Sequence, residues 1–364
     1  MAQTAEQITA PVADNNGNKS FFIAFLVMVL LLAVLPSVPG IINATFLGNV
    51  LSDGVKNTIA ALCYPGFLMK ALCFALFACA FNLLIGYVGL LSFGHALYFG
   101  WASYFAAHLA KIGTISIPYW KGSWIVIPLP PLSPELAILG AVAGAALLGF
   151  IAGSIAIRRQ GIYFAMITLA LAQMMYFFAV QSKFTGGEDG IQSIPRGNLF
   201  GLFSLANDRV LYVFVLVVFL LGFLLIYRVI NSPFGEVLKA IRENEQRAIS
   251  LGYKTDRYKL AAFVLSAALA GLAGAVKPFV VGNASLTDVH WSMSGEVVLM
   301  TLLGGLGTIF GPVVGAFTII GMQNFLATFG QWVTIIQGVI FVICVLLFRR
   351  GIIGEIANLF RIKL

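Results

Sequence analysis

Ten stretches of this chain stay apolar for roughly the length that a helix needs to cross a bilayer. They run over 21–38, 66–87, 95–110, 135–157, 161–181, 210–230, 260–281, 294–310, 311–329 and 332–348. This limits the fold more than any motif does, because about 30 Å of hydrocarbon takes roughly 20 helical residues to cross. Inside hydrocarbon every backbone N–H and C=O must be satisfied by the protein, which leaves helices or a closed barrel. The runs lack the short alternating pattern of barrel strands. The sequence therefore predicts an all-α, polytopic membrane protein with about ten transmembrane helices. With 60% hydrophobic and only 10% charged residues, the composition agrees; a soluble domain is nearer half apolar and a quarter charged.

Two regions weaken the pattern. The run at 95–110 is short and is expected to cross only in part. Gly304, Gly305, Gly307, Gly311 and Pro312 interrupt 294–329, so broken or re-entrant helices are expected there. Residues 1–20 are polar and predict a disordered tail. The segment before the first apolar run contains Glu6 and Asp14, which is wrong for the basic start of a signal peptide, so that run reads as a membrane helix. The organisation expected is a tail over 1–20, a membrane domain over 21–348 with a cytoplasmic loop at 231–259, and a cytoplasmic tail over 349–364.

The formal net charge of +8 would suggest nucleic acid in a soluble protein. Here the basic residues flank apolar runs, and the reading is cytoplasmic anchoring with no nucleic-acid partner. Arg158, Arg159, Arg228, Lys239, Arg242, Arg247, Lys254, Arg257, Lys259, Arg349 and Arg350 all fall on one side if ten spans are threaded. That side is assigned to the cytoplasm, and both termini join it. The loops 112–134 and 182–209 hold only Lys121, Lys183, Arg196 and Arg209. Cys63, Cys73, Cys79 and Cys344 form no C-x-x-C pair and read as small buried hydrophobes. His95, His108 and His290 form no metal-ligand pattern, and no nucleophilic triad can be assembled, so neither a catalytic nor a metal site is expected.

One segment breaks the oily text. Ten of the 25 residues from Gly235 to Lys259 are charged. Ser232-Pro233 starts it as a helix should start, and Gly252 sits where a helix should end. Val237, Leu238, Ile241, Ala248 and Ile249 lie at near-helical spacing, with Thr255 and Asp256 placed to cap the next span. Three readings compete: an interfacial helix on anionic lipid, a solvated linker, or a knob docking a protein partner. Four carboxylates argue against the first and the apolar stripe argues against the second, so the third is favoured.

The residues from Glu245 to Gly252, EQRAISLG, resemble the E-A-A-x-x-x-G loop of ABC importer permeases, with Ala248 and Gly252 matching and Gln246 and Arg247 departing. The wider text is more specific. AIRENEQRAISLGYKTDRYKLAAFVLSAALAGLAGAV, SGEVVLMTLLGGLGTIFGPVVGA, FRRGIIGEI, FNLLIGYVGLLSFGHALYFGWASYFAAHLA, GIYFAMITLALAQMMYFF and FTGGEDGI resemble the LivM-type branched-chain amino acid permeases over about 66–357. The resemblance implies a permease subunit of an ABC importer in a bacterial inner membrane. It implies a homologous LivH-type second permease, two ATP-binding subunits that hold ATP and Mg, and a periplasmic substrate-binding protein. It makes the charged stretch an ATPase-coupling loop, carried over to Glu243, Asn244, Glu245, Arg247, Ala248 and Gly252. No G-x-x-x-x-G-K-[ST] string occurs in the chain, so ATP hydrolysis is expected in a partner and no cofactor is expected here.

Two glycine-broken stretches are pathway candidates. One carries Ser92, Gly94 and His95; the other carries Gly304, Gly305 and Gly307. Each has a competing reading as close helix packing. Their similar spacing, Gly86-x-x-Gly89 with Gly94 and Gly304-x-x-Gly307 with Gly311, raises an internal repeat as a further option. Glu296 is expected near an interface at the start of its helix, and Lys277 is expected to snorkel outward. Glu188 and Asp189 in FTGGEDGI either meet a binding protein or form a capped turn. The substrates in competition are small amino acids, urea or amides, and small organic acids including aromatic ones. An ion-coupled secondary transporter is the alternative of another class.

Overall fold

The computed structural model describes residues 15–39, 53–111, 115–119, 123–127, 132–347 and 351–359. Fourteen α-helices occur among them. Each of the ten apolar runs falls on one helix: α1 (Asn15–Val34), α3 (Pro65–Tyr87), α4 (His95–Lys111), α5 (Pro134–Ala156), α6 (Ile162–Gln181), α7 (Asp208–Ile230), α10 (Thr255–Val281), α11 (Trp291–Gly304), α12 (Gly311–Leu326) and α13 (Val333–Leu347). Between them come α2 (Asp53–Leu62), α8 (Pro233–Glu243) and α9 (Glu245–Ser250), and α14 (Gly351–Leu359) follows the last. Five helices are long and apolar enough to cross a membrane outright: α3, α5, α6, α7 and α10. Helix α11 has 14 residues, about 21 Å of rise, so it falls short of a full crossing.

Helix α3 is the axis of the molecule, with 89% of its most apolar window buried. It packs against α7, α10, α11 and α12, and α10 packs in turn on α4 and α5. The outer helices α5, α6 and α7 bury less than half of theirs, as lipid-facing helices should. Small residues permit these approaches. A methyl added at Gly274 would overlap the Phe99 carbonyl oxygen, and one at Gly315 would overlap that of Met300. No side chain can yield to backbone, so both positions require hydrogen.

Two boundaries differ from expectation. Helix α1 begins at Asn15, inside the expected tail; residues 1–14 lie outside the described residues. The stretch after 349 is not all tail, because Gly351 opens α14, which is seated on α11 and α12. The fold is all-α as expected; the strands among the described residues are two short antiparallel hairpins, Ile115–Tyr119 with Ser123–Ile127 and Asn198–Leu199 with Phe203–Ser204.

Candidate functional site

The charged stretch forms two helices. Ser232 caps α8, its Oγ accepting from the Gly235 amide at 3.3 Å, and Pro233 takes the first turn. The chain turns extended at Asn244, whose Oδ1 accepts from the Arg247 amide at 3.0 Å and starts α9. Gly252, at φ +89°, ends α9 in the left-handed conformation expected of it. Asp256 and Thr255 do not cap α10; the preceding position is Lys254 and makes no side-chain cap.

The apolar stripe splits between two faces. Leu238, Ile241 and Ala248 are buried against the body, whereas Ile249, Leu251 and Tyr253 stay exposed at the tip. Ala248 therefore faces inward. Glu245 is also turned inward, paired with the buried Lys259 and accepting from Gln160 Nε2 at 2.9 Å. Glu243, Asn244, Arg247 and Gly252 remain on the surface beside the exposed apolar tip.

Arg242 links this element to the helices, its guanidinium donating to the Gly86 carbonyl at the end of α3. Its side chain also covers Gly89, where an added methyl would lie 3.2 Å from its Cγ. Asn82, four residues up α3, clamps the turn between α11 and α12. Its Nδ2 donates to the Thr308 carbonyl at 2.9 Å and its Oδ1 accepts from the Gly307 amide at 3.1 Å. The two glycine-broken stretches thus face each other: a methyl at Gly86 would sit 2.9 Å from the Gly307 nitrogen. Gly304 packs against the Gly311 backbone, and Gly305 and Gly307 take φ +121° and +74° in the turn. These glycines close a tight turn beneath α8.

Ser92, Gly94 and His95 are fully buried at the start of α4. A helix start leaves amides without partners, and side chains from other helices supply them. The Phe93 amide donates to Thr168 Oγ1 of α6 at 3.2 Å, the Gly94 amide to Ser92 Oγ at 3.3 Å, and the Ala96 amide to Ser294 Oγ of α11 at 2.9 Å. His95 Nε2 meets Ser266 Oγ of α10 at 2.9 Å. Because Ser266 donates onward to the Ala80 carbonyl at 2.6 Å, His95 must donate from Nε2, leaving Nδ1 bare and partnerless. Phe81, Tyr98 and Phe263 set their rings edge-on around the imidazole. This is a packing node joining five helices, α3, α4, α6, α10 and α11.

Lys277 does not snorkel. It is buried and paired with the equally buried Asp288, with its Nζ 5.9 Å and 5.8 Å from the Phe74 and Phe99 ring centroids. Asp288 belongs to the loop after α10, which dips inward until a methyl at Gly100 of α4 would overlap Val289. Glu296 is half-buried and accepts from Gln323 Nε2 at 3.0 Å. Glu188 and Asp189 are exposed in a short 3-10 turn, where the Asp189 carbonyl accepts from Gln192. That segment is pinned to the 282–285 loop by reciprocal bonds between Ile191 and Ala284 at 3.0 and 2.9 Å.

These features define a multi-pass helical membrane protein with a charged two-helix element braced against the ends of its core helices. The chain belongs to the family described as branched-chain amino acid transport system / permease component, whose sequence model matches residues 64–347. It is 28% identical over 295 residues to the high-affinity branched-chain amino acid transport system permease protein LivM of Escherichia coli K12, covering 75% of this chain and 65% of that one. It is 27% identical over 228 residues to the probable permease LivH of Methanocaldococcus jannaschii, covering 57% of this chain and 68% of that one. The probable LivM of the same archaeon is 28% identical over 187 residues, covering 48% and 52%. The chain thus spans about 65% of the length of the Escherichia coli relative. No solved structure matches.

Proposed function

We propose that this protein is a transmembrane permease subunit of an ATP-driven importer of branched-chain or related small amino acids in a bacterial inner membrane. The observation that carries the reading is the family match across most of the membrane helices, together with α8–α9, an exposed charged element on a chain whose sequence carries no G-x-x-x-x-G-K-[ST] string. A homologous second permease, two ATP-binding subunits holding ATP and Mg, and an external substrate-binding protein complete the assembly. The face bearing α8, α9 and the basic loops is cytoplasmic.

The element acts as a rigid lever. Its outer tip, Ile249, Leu251, Tyr253 and Arg247, meets the ATPase. Its inner side is bound through Arg242 to the end of α3, and Asn82 extends that connection to the α11–α12 turn. A displacement of α8 therefore reaches α3 and the α11–α12 pair at once, which is what coupling between two states requires. The test uses the reconstituted complex with the substitutions Arg247→Glu and Leu251→Asp. Import should fall sharply and the ATP-binding subunits should dissociate, while the permease alone keeps its wild-type unfolding temperature. Normal assembly and import in the double variant would refute the lever.

A further inference from the structure

The end of the molecule opposite α8–α9 holds a cavity of about 660 Å³, within the roughly 300–1,000 Å³ typical of small-ligand sites. It lies between the start of α3 and the ends of α10 and α12. Lys70, Gln323, Asn324 and the Arg196–Asp208 ion pair, closed at 2.7 Å, line it beside Met69, Val280 and Ile320.

Two opposite charges stand apart here. Lys70 is half-buried in the second turn of α3, with its Nζ 5.9 Å from the Phe74 ring centroid. Among the described residues it has no carboxylate within 4.0 Å. Glu296 likewise lacks a cation at that distance and is held by Gln323, one hydrogen bond behind the cavity wall. Lys277 and Asp288, which interact electrostatically with both, are already committed to each other. Lys70 and Glu296 also interact electrostatically with each other without closing an ion pair, so each keeps capacity for a further charged partner. Keeping them apart beside one cavity creates the complement of a molecule that carries both charges itself.

We propose that this cavity receives a zwitterionic α-amino acid. Lys70 takes its carboxylate, and the Gln323 amide oxygen, backed by the Glu296 carboxylate, takes its ammonium. Gln323 spends an N–H on Glu296, which leaves its carbonyl oxygen for a donor. Met69, Val280 and Ile320 offer apolar contact to the substrate side chain. The assignment deepens the importer reading above and rests on it.

Two measurements test it. The first is saturation-transfer NMR on the full-length protein in nanodiscs, with leucine, leucinamide or 4-methylpentanoate at millimolar concentration. The second is ATP-driven leucine uptake by the reconstituted complex. Lys70→Met and Glu296→Gln should each weaken leucine binding and uptake by at least about tenfold, the scale of one lost charge-assisted hydrogen bond. Lys70→Arg should restore most of both. The two analogues, each lacking one charge, should bind the wild-type protein correspondingly worse, a comparison that needs no variant to fold. Equal binding of all three ligands, or wild-type uptake in both variants, overturns the cavity assignment and leaves the importer standing. A wild-type complex that imports no amino acid with ATP overturns the importer reading, and this proposal falls with it.

Discussion

Replacing Asp288 by Leu should destabilise the protein far more than replacing Asp288 and Lys277 together. The pair is nearly dry: the side chains are 8% exposed for Lys277 and 2% for Asp288. Removing Asp288 strands an ammonium between the Phe74 and Phe99 rings, whose faces offer only partial compensation. Breaking a buried pair from one side costs about 3–5 kcal/mol, which for a chain of this size lowers the unfolding temperature by roughly 5–10 °C. Lys277→Met should behave similarly, because it leaves Asp288 charged and alone, and one Asp288 oxygen already has no partner. The double variant Lys277→Met/Asp288→Leu removes both charges, keeps the branched outline of Asp288 and nearly the length of Lys277, and should return to within about 1 kcal/mol of wild type. Unfolding of the detergent-purified protein gives the four corners of a double-mutant cycle, with an expected coupling of about 5–9 kcal/mol, the two single losses less that of the double variant. The cycle also separates structure from transport: the double variant should still import, since this pair holds the 282–290 loop and leaves Lys70 and Glu296 in place. Additive single losses, or a single variant as stable as wild type, would refute the reasoning.

Two further outcomes can be checked directly. Asn82→Ala leaves the Gly307 amide and Thr308 carbonyl without their side-chain partner, at about 1–3 kcal/mol each, and should loosen the α11–α12 turn. In the reconstituted complex the ratio of substrate imported to ATP hydrolysed should fall, and an unchanged ratio would argue against the Asn82 connection. Gly315→Ala forces a methyl into the Met300 carbonyl and should abolish accumulation of folded protein, whereas Gly338→Ala, with nothing within 4 Å, should be neutral; fluorescence-detected size exclusion of tagged protein reads both.

The membrane helices could be read from the sequence because length and apolarity are local quantities. The extent of the runs at 66–87, 210–230 and 260–281 already forced helices there. The same holds for the caps at Ser232 and Gly252, which depend on neighbours only a few residues away. What stayed hidden depends on distant contacts. Lys277 lies four residues from the end of α10, where a lysine ordinarily reaches outward. Only the inward fold of the following loop, set by the close approach of Val289 to Gly100, brings Asp288 beneath it. A signal was available: a charge inside an apolar run demands a partner, and Asp288 is the first acid after it. Asn82 gave less warning, since one amide in a buried helix reads as tolerated polarity. Ala248 and Gly252 matched a motif, but the motif could not say which side of α9 turns inward.

The start of α4 sets the order in which this chain can fold. Its first amides are satisfied by Thr168 and Ser294, and the Ala96–Ser294 bond closes over 198 residues. At ribosomal rates of about 5–20 residues per second, Ser294 emerges roughly 10–40 s after Ala96. During that interval α4 waits in the bilayer with bare donors at its buried end. It must be sheltered by water, lipid headgroups or the insertion machinery until α11 arrives. Synthesis of the last third of the chain, not insertion of the first, therefore completes the node on which α3, α6 and α10 converge.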